Sequence, residues 1–130
     1  IHADVFIDNI FFKDNKLSGI IDFYFSCYDF YTYELAICIN AWCFNKRGFF
    51  DKSKFLSIMK GYEKIRKLSK LEIDSLPILL KIATIRILIT RLHDLLYHTP
   101  ETYVTPKDPI EYLEILKFHN NNSLIDIYKL

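Results

Sequence analysis

The first part of the chain carries polar side chains whose types suit phosphoryl transfer. The segment "HADVFIDN" places Asp4 five residues before Asn9, and "GIIDF" places Asp22 within an apolar run. Carboxylates rarely lie among apolar neighbours unless they are hydrogen-bonded or ion-paired, or take part in binding or catalysis. Phosphoryl transfer needs a carboxylate that orients the attacking hydroxyl, and hard oxygen ligands that hold Mg²⁺ against the phosphates. Asp4 is the candidate base, and Asn9 and Asp22 are the candidate Mg²⁺ ligands.

A predicted β-hairpin would bring these side chains together. Residues 10–13 and 16–23 are β-branched and aromatic runs separated by the turn pair "DN". Antiparallel strands joined by a two-residue turn put Asn9, before the first strand, and Asp22, near the end of the second, at one end of the hairpin. The spacing therefore favours a shared cation site. The alternative is that these are turn, cap or strand-end polar groups without chemistry.

Most of the remaining chain is predicted to be helical. Apolar residues recur at helical spacing after "SCYD", and helix-start patterns follow at Asp51, at "SKLE" (69–72) and at "DPIE" (108–111). Pro77 is predicted to start or kink a long helix that runs to about Tyr97. A lone hairpin is barely stable unless other elements cover it. The expected fold class is α+β, mainly α, with the hairpin packed on about five helices.

Composition narrows the classes of protein. The 130 residues suffice for one domain, and a net charge of +1 with no basic face argues against a nucleic-acid partner. The longest apolar stretch, 76–96, is interrupted by Lys81, Arg86 and Arg91, so we predict a core helix rather than a membrane span. The three cysteines match no metal-ligand spacing and are interpreted as buried residues in a reducing cytoplasm; they are Cys27, Cys38 and Cys43.

The segments "HADVFIDN" and "GIIDF" together resemble the catalytic loop and metal-binding segment of the choline- and aminoglycoside-kinase-like phosphotransferases. The similarity continues through "ELAICINAWCF", "TRLHDLL" and "KDPIEYLEIL". The resemblance implies a protein-kinase-like fold, with Asp4 as the catalytic base and Asn9 and Asp22 as magnesium ligands. It also implies that His2 organises the backbone of the loop. The family's usual aspartate before "LA" is Glu34 here, which leaves the loop-bracing role of that position open.

Within this group the resemblance is closest to members that use ATP to phosphorylate the side-chain hydroxyl of L-homoserine, a step in threonine synthesis. Residues 1–130 then resemble only the C-terminal, catalytic lobe, because three scattered glycines cannot form a phosphate-covering loop. The chain also begins at Ile1, without methionine, one residue before its most polar motif. We therefore expect an N-terminal nucleotide-binding lobe to precede it.

Further residues are candidates for contact with the acceptor. Arg86 and Arg91 could bind the carboxylate of an amino acid, or form structural ion pairs. Asp29 could contact the acceptor's ammonium group, or serve as a helix cap. Two alternatives to the homoserine hypothesis remain: a kinase of another alcohol, such as choline or an aminoglycoside, and a catalytically inactive fragment or binding module.

Overall fold

The polypeptide forms a β-hairpin followed by helices in a computed structural model, which describes residues 1–99, 105–124 and 126. The fold is α+β and mainly helical, as predicted. About five helices were expected and the described residues form four, because the capping box and the apolar stretch after Pro77 belong to one helix. The elements are β1 (Ile10–Lys13), β2 (Lys16–Ile20), α1 (Tyr31–Trp42), α2 (Lys52–Ile65), α3 (Lys70–Leu96) and α4 (Ile110–Asn121).

The hairpin follows from its turn residues. Asp14 and Asn15 adopt φ values of 50° and 59°, the left-handed conformation that a two-residue hairpin turn requires. The strands pair antiparallel from Ile10 opposite Ile20 to the turn, with one irregularity in the register. β2 ends three residues earlier than predicted, because Asp22 is itself left-handed (φ 64°) and leaves the extended path.

The predicted helix caps are found in the structure with one small shift. The side chain of Asp51 accepts hydrogen bonds from the backbone N–H groups of Ser53 and Lys54, and α2 begins directly after it. α4 begins at Ile110, so Asp108 lies one residue before the N-cap position. Its carboxylate still accepts a hydrogen bond from the N–H of Ile110, at 2.9 Å.

Helix α3 begins at its capping box rather than at Pro77. Ser69 accepts from the N–H of Glu72, whose carboxylate accepts in return from the Ser69 N–H. That backbone bond, together with bonds from Arg66 and the Ser69 hydroxyl, lowers the pKa of Glu72 to about 2. Pro77 lies inside the helix, so the prediction that it starts the helix is wrong. Two satisfied backbone donors define the start better than a proline, which only removes one donor.

The core forms where α3 packs against α1 and α4. A buried polar network lies within it. Asn40 on α1 donates to the carbonyl of Leu80 and to the hydroxyl of Thr84, both on α3, and its amide oxygen lies 2.8 Å from Nε2 of His119 on α4. The network connects the three helices through satisfied hydrogen bonds, as buried polar groups require.

Helix α3 is buried on one side only, so the predicted core helix is covered less than its apolar sequence suggests. Apolar side chains recur at intervals of three, four and seven residues along its solvent side, a spacing that keeps them on one face. No helix among the described residues is long and apolar enough to cross a membrane. The exposed residues at this spacing are Leu71, Ile78, Ile82, Ile85, Ile89, Leu92 and Leu96, and Leu95 is exposed beside them.

The three cysteines are free, but they differ in exposure. Cys43 is buried and Cys38 is partly buried, whereas Cys27 is exposed in the segment after the hairpin. The prediction that all three are buried is therefore wrong for Cys27. Burial raises the pKa of both Cys38 and Cys43 to about 12, so these two remain protonated thiols.

Candidate active site

The loop that carries Asp4 is fixed at Ala3, which has a left-handed backbone with φ 63°. The two carboxylate oxygens of Glu34 accept hydrogen bonds from the N–H groups of His2 and Ala3, each at 2.9 Å. On the other side of the residue, Arg86 on α3 donates to the carbonyl oxygen of Ala3 at 2.6 Å. Non-glycine residues rarely adopt this conformation unless the surroundings hold them there. Here two charged side chains hold it.

His2 connects this loop to the segment that carries Asp22. Its Nδ1 accepts a hydrogen bond from the N–H of Asp4 at 3.2 Å, so the proton of the neutral ring is on Nε2. Nε2 donates to the carbonyl of Ile21 at 2.8 Å. The ring also lies edge-on to Phe23, with 4.6 Å between the ring centroids. These contacts reach both sides of Asp22.

Asp4 and Asn9 are joined directly. The side-chain amide of Asn9 donates to the backbone oxygen of Asp4 and to its Oδ2, each at 2.9 Å. Asn9 is buried, and these two bonds use its nitrogen and leave its amide oxygen for another partner. The N–H of Ile21 donates to the carbonyl of Asn9 at 3.0 Å, which brings the residue before Asp22 next to Asn9.

Asp4, Asn9 and Asp22 line one cleft of about 220 Å³. The hairpin thus places Asn9 and Asp22 at the same end, where the sequence argument put them. Among the described residues, no cluster of three or more His, Cys, Asp or Glu side chains could hold a metal ion. Asp4, Asn9 and Asp22 instead offer one amide and two carboxylates at this cleft. That set fits Mg²⁺, which usually takes one or two carboxylates and completes its shell with phosphates and water.

The two candidate arginines are engaged by the protein itself. Arg91 is buried; it forms an ion pair with Glu111 at 2.6 Å, donates to the carbonyl of Asp108 and lies over the ring of Tyr112. It also lines the cleft. Arg86 contacts the carbonyl of Ala3, behind the loop. The ion-pair alternative therefore describes Arg91, whose partner is Glu111.

Asp29 lies away from the other candidates. Its carboxylate accepts a hydrogen bond from the N–H of Phe30 at 2.7 Å, immediately before α1. It lines separate clefts, one with Cys27 and Tyr31 and another with residues of α3. The structure thus brings together Asp4, Asn9, Asp22 and Arg91, with His2 behind them, and places Asp29 and Arg86 elsewhere.

Two charged residues of the cleft, Asp8 and Lys107, were not among the predicted site residues. Lys107, which precedes α4, lines the cleft and forms an ion pair with Asp8 at 2.5 Å. The hydrogen bond and the positive charge of Lys107 lower the pKa of Asp8, which therefore stays ionised at neutral pH. The two residues are 99 positions apart, so no local pattern could have paired them.

The sequence profile of the phosphotransferase enzyme family matches residues 1–68, more than half of the chain. The chain belongs to the phosphotransferase enzyme family.

Among curated relatives, the homoserine kinase of Parvibaculum lavamentivorans is 50% identical over 119 residues, which cover 92% of this chain and 37% of the relative. The homoserine kinases of Rhizobium meliloti and Rhodospirillum rubrum are 48% and 51% identical over the same number of residues and are covered to 36% and 37%. The chain thus spans little more than a third of the length of the relatives that it matches.

Proposed function

We propose that this chain is the catalytic lobe of a kinase that transfers the γ-phosphoryl group of ATP to the side-chain hydroxyl of L-homoserine. The observation that carries the proposal is the convergence of Asp4, Asn9 and Asp22 on one cleft. Relatives about half identical in sequence are named homoserine kinases, which supports the choice of acceptor. The product would serve threonine synthesis.

Asp4 is the proposed general base. It would orient the acceptor hydroxyl towards the γ-phosphorus and take up its proton as the new O–P bond forms. A positioned base of this kind contributes about 10²- to 10⁴-fold to the rate. The amide of Asn9, bonded to both the backbone and the carboxylate of Asp4, limits the orientations that this carboxylate can adopt.

Asn9, through its amide oxygen, and Asp22, through its carboxylate, are the proposed magnesium ligands. A bound Mg²⁺ would neutralise charge on the phosphates of ATP during transfer. Asp22 is exposed, and its own left-handed backbone, two residues after the end of β2, turns its side chain out of the strand. The hydrogen bond between the N–H of Ile21 and the carbonyl of Asn9 would keep the two ligands adjacent.

His2 and Glu34 are the proposed positioning residues. Glu34 replaces the aspartate usual in the family, and its longer side chain still reaches two backbone N–H groups of the loop. His2 would keep the Asp4 loop and the Asp22 segment in register through its two ring nitrogens. Neither side chain needs to touch a substrate to influence the reaction.

We further propose that residues 1–130 correspond to the C-terminal lobe and that an N-terminal lobe supplies most of the contacts to ATP. The length of the relatives supports this proposal. A group of exposed aromatic side chains at and after the hairpin offers apolar surface for such a lobe to cover; it comprises Phe12, Phe23, Tyr24 and Phe25. A cytoplasmic location is proposed because the three thiols are free.

A substrate panel tests the proposed function. The complete protein, purified with ATP and Mg²⁺, is offered L-homoserine, choline and an aminoglycoside, and ADP release is measured. Phosphorylation of homoserine alone is the expected result. Turnover of another alcohol without homoserine would reject the choice of acceptor. Calorimetry measures the binding of ATP in parallel. If the protein neither binds ATP nor turns over any acceptor, the alternative of an inactive binding module is favoured.

A further inference from the structure

The ion pair between Asp8 and Lys107 borders the cleft that holds Asp4. Both residues line the cleft of about 220 Å³ together with Asp4 and Asn9. Both also line a neighbouring cavity of about 410 Å³, whose walls include Phe6 before the hairpin, Ala41 on α1 and Tyr112 on α4. The pair therefore lies at the border between the cleft that contains Asp4 and the neighbouring cavity.

The ion pair between Lys107 and Asp8 can open at low cost, so that each side chain can bind a ligand group instead. The side chains of Lys107 and Asp8 are 59% and 68% exposed, and ion pairs this open contribute little to stability. Arg91, the other cation at the cleft, is buried and fixed by Glu111 and by the carbonyl of Asp108. Opening the Lys107–Asp8 pair would cost far less than opening the Arg91–Glu111 pair, because its charges are already solvated.

Homoserine presents a chemical match to such a pair. Its reacting hydroxyl is at one end, and a carboxylate and an ammonium group share the carbon atom at the other. An acceptor with its hydroxyl at Asp4 needs a positive and a negative group close together in the same cleft. We propose that Lys107 binds the carboxylate of the acceptor and that Asp8 binds its ammonium group, so that the protein selects an amino-acid alcohol. This inference rests on the proposed function.

The test combines a change in the protein with a change in the acceptor. Lys107→Gln in the complete protein should lower kcat/KM for L-homoserine by about ten- to a hundredfold, the usual effect of losing a charged hydrogen bond. It should change kcat/KM for L-homoserine amide, which lacks the carboxylate charge, by less than threefold. Lys107→Arg should retain most of the activity on homoserine. Asp8→Asn should lower kcat/KM for homoserine. It should leave kcat/KM for 4-hydroxybutanoate unchanged, because that acceptor lacks the ammonium group.

Lys117→Gln is the matched control. Lys117 is 58% exposed and forms a 2.7 Å ion pair with Glu114 on α4, and its loss should leave all acceptors unaffected. Equal losses on homoserine and its amide after Lys107→Gln would overturn the inference, as would a rise in KM for ATP instead of homoserine. If the wild-type protein accepts a different alcohol, the proposed function fails first. The inference would then fail separately if that alcohol carries no carboxylate.

Discussion

Arg86 donates a hydrogen bond of 2.6 Å to the carbonyl oxygen of Ala3, a residue 83 positions earlier in the chain. Glu34 accepts a bond from the N–H of the same residue. Helices α1 and α3 therefore fix the Asp4 loop from opposite sides, at a residue with φ 63°. A left-handed alanine at this point is maintained by tertiary contacts rather than by the preference of its own backbone.

Replacing Ala3 by glycine should not destabilise the protein. Glycine adopts positive φ without strain, so the relief offsets the loss of one buried methyl group, and the free energy of unfolding should change by less than about 1 kcal/mol. Ala36→Gly is the matched control, because Ala36 is buried in α1 and a helical glycine costs about 1 kcal/mol. Urea unfolding compares the two. A larger loss for Ala3→Gly than for Ala36→Gly would contradict the strain argument.

In the complete protein, Asp4→Asn should lower kcat by about 10²- to 10⁴-fold while the dissociation constant of ATP changes little. The amide still accepts the hydrogen bond from Asn9, but it cannot take up the proton of the acceptor. Steady-state kinetics and calorimetry with ATP measure the two quantities. Asp74→Asn, at an exposed position of α3, is the control and should behave like the wild type. Parallel losses of kcat and of ATP affinity would indicate a structural role for Asp4.

Glu34→Gln should disturb the Asp4 loop more than Glu34→Asp. Two backbone N–H groups bond to the two oxygens of Glu34, and glutamine offers only one oxygen. One buried donor is then unpaired, at a cost on the order of 1–3 kcal/mol in unfolding free energy. Aspartate keeps both oxygens on a side chain that is one methylene shorter. The unfolding temperature and kcat should therefore both decrease from the wild type to Glu34→Asp and again to Glu34→Gln. The opposite order of the two variants would argue that the loop is not held by two oxygens.

His119 should make stability depend on pH below neutrality. Burial, with a smaller contribution from Lys81, lowers its pKa from 6.5 to about 4. The unfolded chain therefore binds more protons than the folded protein between pH 6.5 and 4. The contribution of His119 to stability is constant above this window and falls as pH decreases through it, by at most about 1.4 kcal/mol per pH unit.

The contribution of His119 can be isolated with a variant that does not titrate. His119→Gln can still donate to the amide oxygen of Asn40 but carries no titrating group. Urea unfolding at pH 7, 6 and 5 should show a smaller decline for this variant than for the wild type. Equal declines would mean that carboxylates alone determine the acid sensitivity.

Cys27 should be the one rapidly reacting thiol of residues 1–130. It is exposed, whereas burial raises the pKa of Cys38 and Cys43 to about 12 and leaves them without thiolate at neutral pH. Labelling with iodoacetamide at pH 7.5, followed by peptide mass spectrometry, should modify Cys27 first and the other two only in denaturant. Fast labelling of Cys43 in the native protein would contradict its burial.

Local signals in the sequence predicted the hairpin, the caps of α2 and α3, and the shared position of Asn9 and Asp22. Each depends on residues close together in the chain or on a two-residue turn. The partners of Arg86, Arg91 and Lys107 could not be predicted, because they lie on other elements and leave no trace in the neighbouring sequence. The apolar sequence of α3 predicted a core helix, but it could not show that the other helices cover only one of its sides.

The indole of Trp42 donates a hydrogen bond of 2.9 Å to the carbonyl of Val5, next to Asp4, and lies edge-on to Phe12 of the hairpin. Residues 1–130 contain no other tryptophan. Its fluorescence is thus a built-in reporter of the loop: a shift in emission wavelength on ligand addition would register rearrangement around Val5 without any attached dye.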